Sequence, residues 1–256
     1  MPVSKPDRSE LAARHTEQQI QSRLQSDQHA GYLSDFVYGG IDGTVTTFAV
    51  VSGVAGAGLS SDIIVILGFA NLIGDGFSMA ASNYLGTRVE NQLHDKARAA
   101  EHHEIETYPE GEREEIRQIF ARKGFEGEDL DRAVEIITKD RNRWVDTMMT
   151  DELGLSLTLR SPFRAATSTM VAFLVIGFIP LIAFVIQAFS PTAIPNPYWI
   201  SCLLTGVAFV SVGAIKSKFV DQHWTLAGLE TLAVGGAAAA LAYAVGAALG
   251  HLVGSV

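Results

Sequence analysis

The sequence predicts an all-α integral membrane protein, with five transmembrane helices and a polar three-helix domain between the second and the third. Three observations carry this reading. Five apolar runs of roughly 18 or more residues are each long enough to cross a hydrocarbon core of ~30 Å. Charge is segregated: every Lys and Arg except Lys216 and Lys218 lies in residues 1–34 or 86–164, and the remainder is rich in Gly, Ala, Val, Ile and Leu. Between runs two and three, residues 90–151 are crowded with carboxylates at helical spacing. The averages, 18% charged and 48% hydrophobic, hide this division. A buried core in a soluble helical protein is the competing reading, but five such runs exceed what one soluble domain covers.

In order along the chain, residues 1–34 form a polar tail with a short polar or amphipathic helix at 13–29. The tail lacks the apolar region of a cleavable signal peptide. Residues 35–85 hold span 1 (35–58) and span 2 (63–85). Residues 86–160 form the insert, and 161–256 hold spans 3 (165–189), 4 (198–215) and 5 (226–253). The links 59–62 and 190–197 contain no Lys or Arg, whereas residues 1–34, residues 86–164 and the pair Lys216/Lys218 carry all of them. The positive-inside rule therefore puts the N-terminus and the insert in the cytoplasm and the C-terminus across the membrane. The expected membrane is a bacterial inner membrane rather than a vacuolar one. Spans 1 and 5 are strewn with small residues (Gly39, Gly40, Gly43, Gly53 and Gly56; Gly228, Gly235, Gly236, Gly246 and Gly250) that let helices approach closely in lipid. Tight packing is the plain reading, and dimerisation is permitted by it.

The insert has helical periodicity. Ile116, Ile119 and Phe120 form one apolar stripe; Leu130, Val134, Ile137, Trp144 and Met148 form another at steps of three, four and seven. Pro109 opens a helix at 110–123 and Lys123-Gly124 closes it; Glu128 and Asp129 open the next, which runs to about Leu153. No breaker separates span 2 from His103, so span 2 continues as one long helix. At 1.5 Å per residue Glu101 falls roughly 33 Å beyond Met79 along it. The expectation is three cytoplasmic helices standing on the membrane domain.

Two of these helices carry E-x-x-E pairs, Glu101/Glu104 and Glu112/Glu115, and a third carries Met148, Met149 and Glu152. Residues three or four apart share a helix face, so each pair aims two carboxylates at one point. Like charges at that spacing repel, and repeated pairing calls for a compensating cation. A solvated acidic face, or salt bridges to the insert's own basic residues, are the plainer alternatives. Inside the spans, Asp42 is costly in lipid unless it meets a partner or water, and Asn71, Asp75, Met79 and Ser82 form one polar stripe on span 2. A soft thioether beside a hard carboxylate suits Fe²⁺ and similar transition ions. A carboxylate that binds either a proton or a metal gives exchange directly, which makes Asp42 the candidate coupling site of a proton/metal antiporter. Glu230, near the start of span 5, reads as interfacial.

At these residues the chain resembles the vacuolar iron transporter family, also described as iron/manganese transporters related to the yeast calcium cross-complementer. The resemblance rests on the run from Tyr38 to Ala49, on Ser78-Met79-Ala80-Ala81 with Tyr84-Leu85, on the run from Tyr108 to Ile116, on Met148 to Leu155, and on Pro162 to Ala166 with Gly177 to Leu181. It implies a homodimer of five-span subunits with a path between them, exporting Fe²⁺, or other divalent transition metals such as Mn²⁺, from the cytoplasm by proton antiport. By the same resemblance Asp42 and Met79 match the in-membrane transport site; Asp75, read here as part of the same path, is a further acid in span 2 and a departure from the family pattern. Glu101, Glu104, Glu112, Glu115, Met148, Met149 and Glu152 match the cytoplasmic metal-binding positions. Ser82-Asn83 departs from the Gly-Glu pair usual before the tyrosine of span 2. No cofactor is implied beyond the metal carried as substrate.

Several functions are disfavoured. A net charge of −9 argues against nucleic acid as partner, and a single cysteine, Cys202, rules out both an intrachain disulfide and a Cys-based metal site. A membrane-anchored di-iron ferroxidase needs E-x-x-H motifs, and His102 and His103 have Ala99 and Ala100 three residues before them. The chain is therefore not expected to be an enzyme. A divalent-metal channel without proton coupling, and a metal scaffold that does not transport, are the other readings.

Overall fold

The computed structural model describes residues 7–25, 29–217 and 222–253. Among them every regular element is helical: α1 (Arg8–Arg14), α2 (Glu17–Gln25), α3 (His29–Gly56), α4 (Ser61–Thr107), α5 (Pro109–Arg122), α6 (Gly127–Thr138), α7 (Arg141–Thr147) with a π-helical turn (Met148–Glu152), α8 (Pro162–Gly177), a 3₁₀ turn (Ile179–Leu181), α9 (Ile182–Phe189), α10 (Pro197–Lys216) and α11 (Trp224–Val253). The chain divides into two compact units. One comprises residues 1–84 and 162–256, the other residues 85–161.

In the first unit, four stretches are long and apolar enough to cross a membrane: the apolar part of α4, Pro162–Phe189, α10 and Trp224–Gly250. The helix α3, at 28 residues, has the length, but Asp42 and the threonines 44, 46 and 47 dilute its apolarity below that of the other four. Glycines set its packing. A Cβ at Gly39 or Gly43 would run into the backbone of Thr169 or Phe173 on α8, and one at Gly56 or Gly246 would run into the facing backbone between α3 and α11. Tight packing thus accounts for these small residues, and α3 sits at the centre, against both α8 and α11. The core here is Phe48, Val51, Val54, Ile64, Leu181, Phe184 and Phe209. The expected third span is bent: Pro180 lacks an N–H, the chain tightens to a 3₁₀ turn, and the Ser201 hydroxyl donates to the Pro180 carbonyl at 2.6 Å.

The second unit is built from the C-terminal part of α4, then α5, α6, α7 and the π turn, around Ile105, Ile116, Ile119, Val134, Trp144, Val145, Met148 and Met149. Helix α4 runs unbroken for 47 residues, as the lack of a breaker predicts. The helix expected from Glu128 to Leu153 is interrupted. It ends at Thr138, and Asp140 starts α7 by accepting a hydrogen bond from the Arg143 N–H at 2.9 Å. Three helices become four plus a π turn. In the tail, the single helix expected at 13–29 is two, parted at His15-Thr16, and residues 26–28 lie outside the described ones.

Candidate metal centre

In the insert, the structure gathers five carboxylates: Glu101 and Glu104 from α4, Glu112 and Glu115 from α5, and Glu152 from the π turn. Glu101 and Glu112 are each 5% exposed, and one carboxylate oxygen of each is buried without a hydrogen-bond partner. Burial pushes Glu101 up to about 7, helped by the charges of Glu152, Glu104 and Glu115. Burial likewise pushes Glu112 up to about 7, with Glu115, Glu101, Glu104 and Glu152 adding to it. Glu152 is raised by burial and then by Glu115 and Glu104. The five acids thus share one electrostatic neighbourhood.

Five of the insert's cations are engaged elsewhere. Arg98 pairs with Asp146 at 2.7 Å, Arg117 with Asp131 at 2.6 Å, Lys123 with Asp151 at 2.6 Å and Arg141 with Glu106 at 2.6 Å, while Arg113 stacks over Trp144. Among the described residues no Lys or Arg neutralises any of the five clustered acids. Salt bridging engages Glu106, Glu114, Asp131, Asp146 and Asp151 and none of the five clustered acids. No three His, Cys, Asp or Glu side chains among the described residues are already drawn together as a metal-holding set. The arrangement is a negative, partly buried basket that a divalent cation would contract.

Met148 and Met149 are fully buried in the apolar core of the same unit. Their packing role is plain, and the wider π turn that carries them also carries Glu152. One residue passed over in the sequence stands out here. His94, 7% exposed, has neither ring nitrogen hydrogen-bonded and lies two turns before Glu101 on the same face of α4. Its heptad spacing to Thr87 and Glu101, both buried, is the signal that marks it.

In the first unit, the polar stripe of α4 faces α3. The Asn71 amide donates to Thr46 Oγ1 at 3.4 Å, and one turn along, half-buried Asp42 and Asp75 are near enough for their charges to interact. A further turn along, Met79 opens into a cavity of about 940 Å³ lined also by Asp35, Tyr38, Ile41, Ser82, Asn83, Thr169 and Lys216. Sequence reasoning missed Asp35 and Lys216 as lining groups, because they stand at or beyond the ends of the apolar runs. Lys216 also pairs with Glu230 at 3.3 Å. Asn83 is structural: its amide donates to Thr169 Oγ1 at 2.7 Å and to the Ala165 carbonyl at 3.3 Å, tying α4 to α8.

Helices of this length and apolarity make the chain an integral membrane protein, with two sets of acids to each of which α4 contributes. Comparison supplies the family. Residues 33–247 match the model of the VIT family, and the chain belongs to it. It is 32% identical over 230 residues to a vacuolar iron transporter of Toxoplasma gondii, covering 88% of this chain and 76% of that protein. It is 31% identical over 220 residues to vacuolar iron transporter 1 of Tulipa gesneriana, with coverage of 85% and 87%. With vacuolar iron transporter 1 of Arabidopsis thaliana it shares 28% over 249 residues, 96% and 94% of the two chains. The relatives are named as transporters, not enzymes, and the function class here is metal-ion transport.

Proposed function

We propose that this protein exports Fe²⁺, and with it Mn²⁺ or similar divalent transition ions, from the cytoplasm in exchange for protons. The observation that carries the reading is Asp42, a half-buried carboxylate on α3 with a second acid, Asp75, in electrostatic range and Met79 one turn on at a cavity. A carboxylate inside a membrane domain is costly as a bare charge, and either a proton or a divalent cation relieves it. That alternation is what an antiporter needs. Met79 adds a soft donor, which favours transition ions over Mg²⁺ and Ca²⁺. The names of the relatives support iron as cargo.

In this reading α3, the first span expected from the sequence, also crosses the membrane and brings the number of spans to five; it is less apolar because it carries the transport site. The tail and the insert face the cytoplasm, on the strength of the basic residues they hold. Glu101, Glu104, Glu112, Glu115 and Glu152, with the thioethers of Met148 and Met149, collect the metal there, and two subunits form the working unit in the bilayer. The relatives are named as vacuolar proteins, which lends no support to the bacterial inner membrane expected from the sequence. Transport assayed in Asp42→Ala, with expression verified, tests the reading: flux should collapse, and parental flux would contradict it. Flux that ignores a pH gradient would favour a channel.

A further inference from the structure

The π turn Met148–Glu152 asks for a cause. A π turn is poorer than an α turn and persists where something holds it, commonly at functional sites. Two bonds close its C-terminal end: the Leu153 N–H to the Met148 carbonyl, five residues back, at 3.1 Å, and the Leu155 N–H to the Met149 carbonyl, six residues back, at 2.8 Å. The holding group lies on a different helix. Lys123 Nζ reaches Asp151 Oδ2 in the middle of the turn at 2.6 Å, across 28 residues of chain. Lys123 is itself fixed. It caps the C-terminus of α5, Gly124 comes next at φ +93, the Phe125 N–H returns to the Phe120 carbonyl at 3.2 Å, and the ammonium sits 5.2 Å from the Phe120 ring. One cation therefore joins the end of the helix that bears Glu112 and Glu115 to the turn that bears Glu152.

We propose that Lys123 and Asp151 form a positioning latch, which sets the register of the π turn and so aims Glu152 at the other four acids. This rests on the metal-centre reading of the insert. Without the latch the turn relaxes toward α geometry. Removing the extra residue of a π turn rotates the downstream chain by about 100°, the angle per residue of an α-helix, and swings Glu152 off the shared face. The latch also takes Asp151 out of the acid set by pairing it, so the turn contributes one free carboxylate rather than two. Neither residue is a ligand; each acts through Glu152.

The test uses the full chain in detergent, with Co²⁺ as the metal. Hydrogen exchange at the Leu153 and Leu155 amides reads the turn, and Co²⁺ titration by visible absorption reads the centre. In Lys123→Met and in Asp151→Asn, both amides should exchange severalfold faster. Co²⁺ should bind about 10-fold more weakly, in the range typical of groups that orient ligands, with an altered spectrum. Lys123→Arg should retain both properties, and Arg117→Met, which breaks an equally short bridge to Asp131, should leave the two amides alone. Parental exchange in Lys123→Met and Asp151→Asn would overturn the latch. Faster exchange with parental Co²⁺ affinity and spectrum would overturn its ligand-aiming role. If Glu112→Gln with Glu115→Gln binds Co²⁺ as the parent does, the metal-centre reading fails and the aiming role with it, while the exchange data still decide the latch.

Discussion

Glu101 and Glu112 stand out in the insert, because each is buried, has one carboxylate oxygen without a hydrogen-bond partner, and is pushed by burial up to about 7. Metal must displace their protons, so metal affinity should fall as pH drops from about 7.5 to 5.5, with proton release on binding. Metal titration calorimetry in buffers of different ionisation enthalpy checks this. Stability of the metal-free insert should move the opposite way. These carboxyls hold protons in the folded state between their ordinary value of 4.5 and about 7, where the unfolded chain has lost them. Folded stability is thus fully present below about 4.5 and declines as pH rises toward 7, and bound metal should offset the decline. Glu112→Ala with Glu115→Ala should weaken binding while leaving transport at high metal, measured as stoichiometry and flux on the same preparation. The E-x-x-E spacing made these acids legible in the sequence. Their lack of cations was not, since it depends on Arg98 and Arg117 finding Asp146 and Asp131 across helices.

Among the elements, α3 and α11 meet through glycine. A Cβ at Gly246 would run into the Gly53 carbonyl and the Ala57 N–H. Gly246→Ala should therefore destabilise by about 1–3 kcal/mol, the usual cost of overpacking, and lower the midpoint of thermal unfolding in detergent. Asp140→Ala should remove the cap of α7 at a cost of about 1 kcal/mol, seen as faster hydrogen exchange in residues 141–147. The unbroken α4 could be read directly, because nothing between span 2 and His103 stops a helix. The break before Asp140 could not, because Ile137, Trp144 and Met148 keep the stripe in phase across it. The π turn was likewise invisible: it is held by Lys123, which periodicity does not see. The bend in the third span is set by Pro180, and the Ser201 hydroxyl that secures it comes from another helix.

For the whole molecule, composition and the spacing of apolar runs were enough to identify a helical membrane protein with a polar insert. The same polarity that makes Asp42 interesting makes α3 the least apolar of the five expected spans, and the other four alone are apolar enough to cross a membrane by composition among the described residues. Helix α4 contributes to both sets of acids: Asp75 in its apolar part, facing Asp42 of α3, and Glu101 with Glu104 near its end, beside Glu112, Glu115 and Glu152. The proposed work divides accordingly, with capture by the insert and proton exchange at Asp42. The most direct test is Fe²⁺ uptake into proteoliposomes under an imposed pH gradient. With the lumen acidic, the parent protein should accumulate Fe²⁺ faster than at equal pH, and Asp42→Ala should show no uptake in either condition. Parental uptake that is the same with and without the gradient would contradict proton exchange.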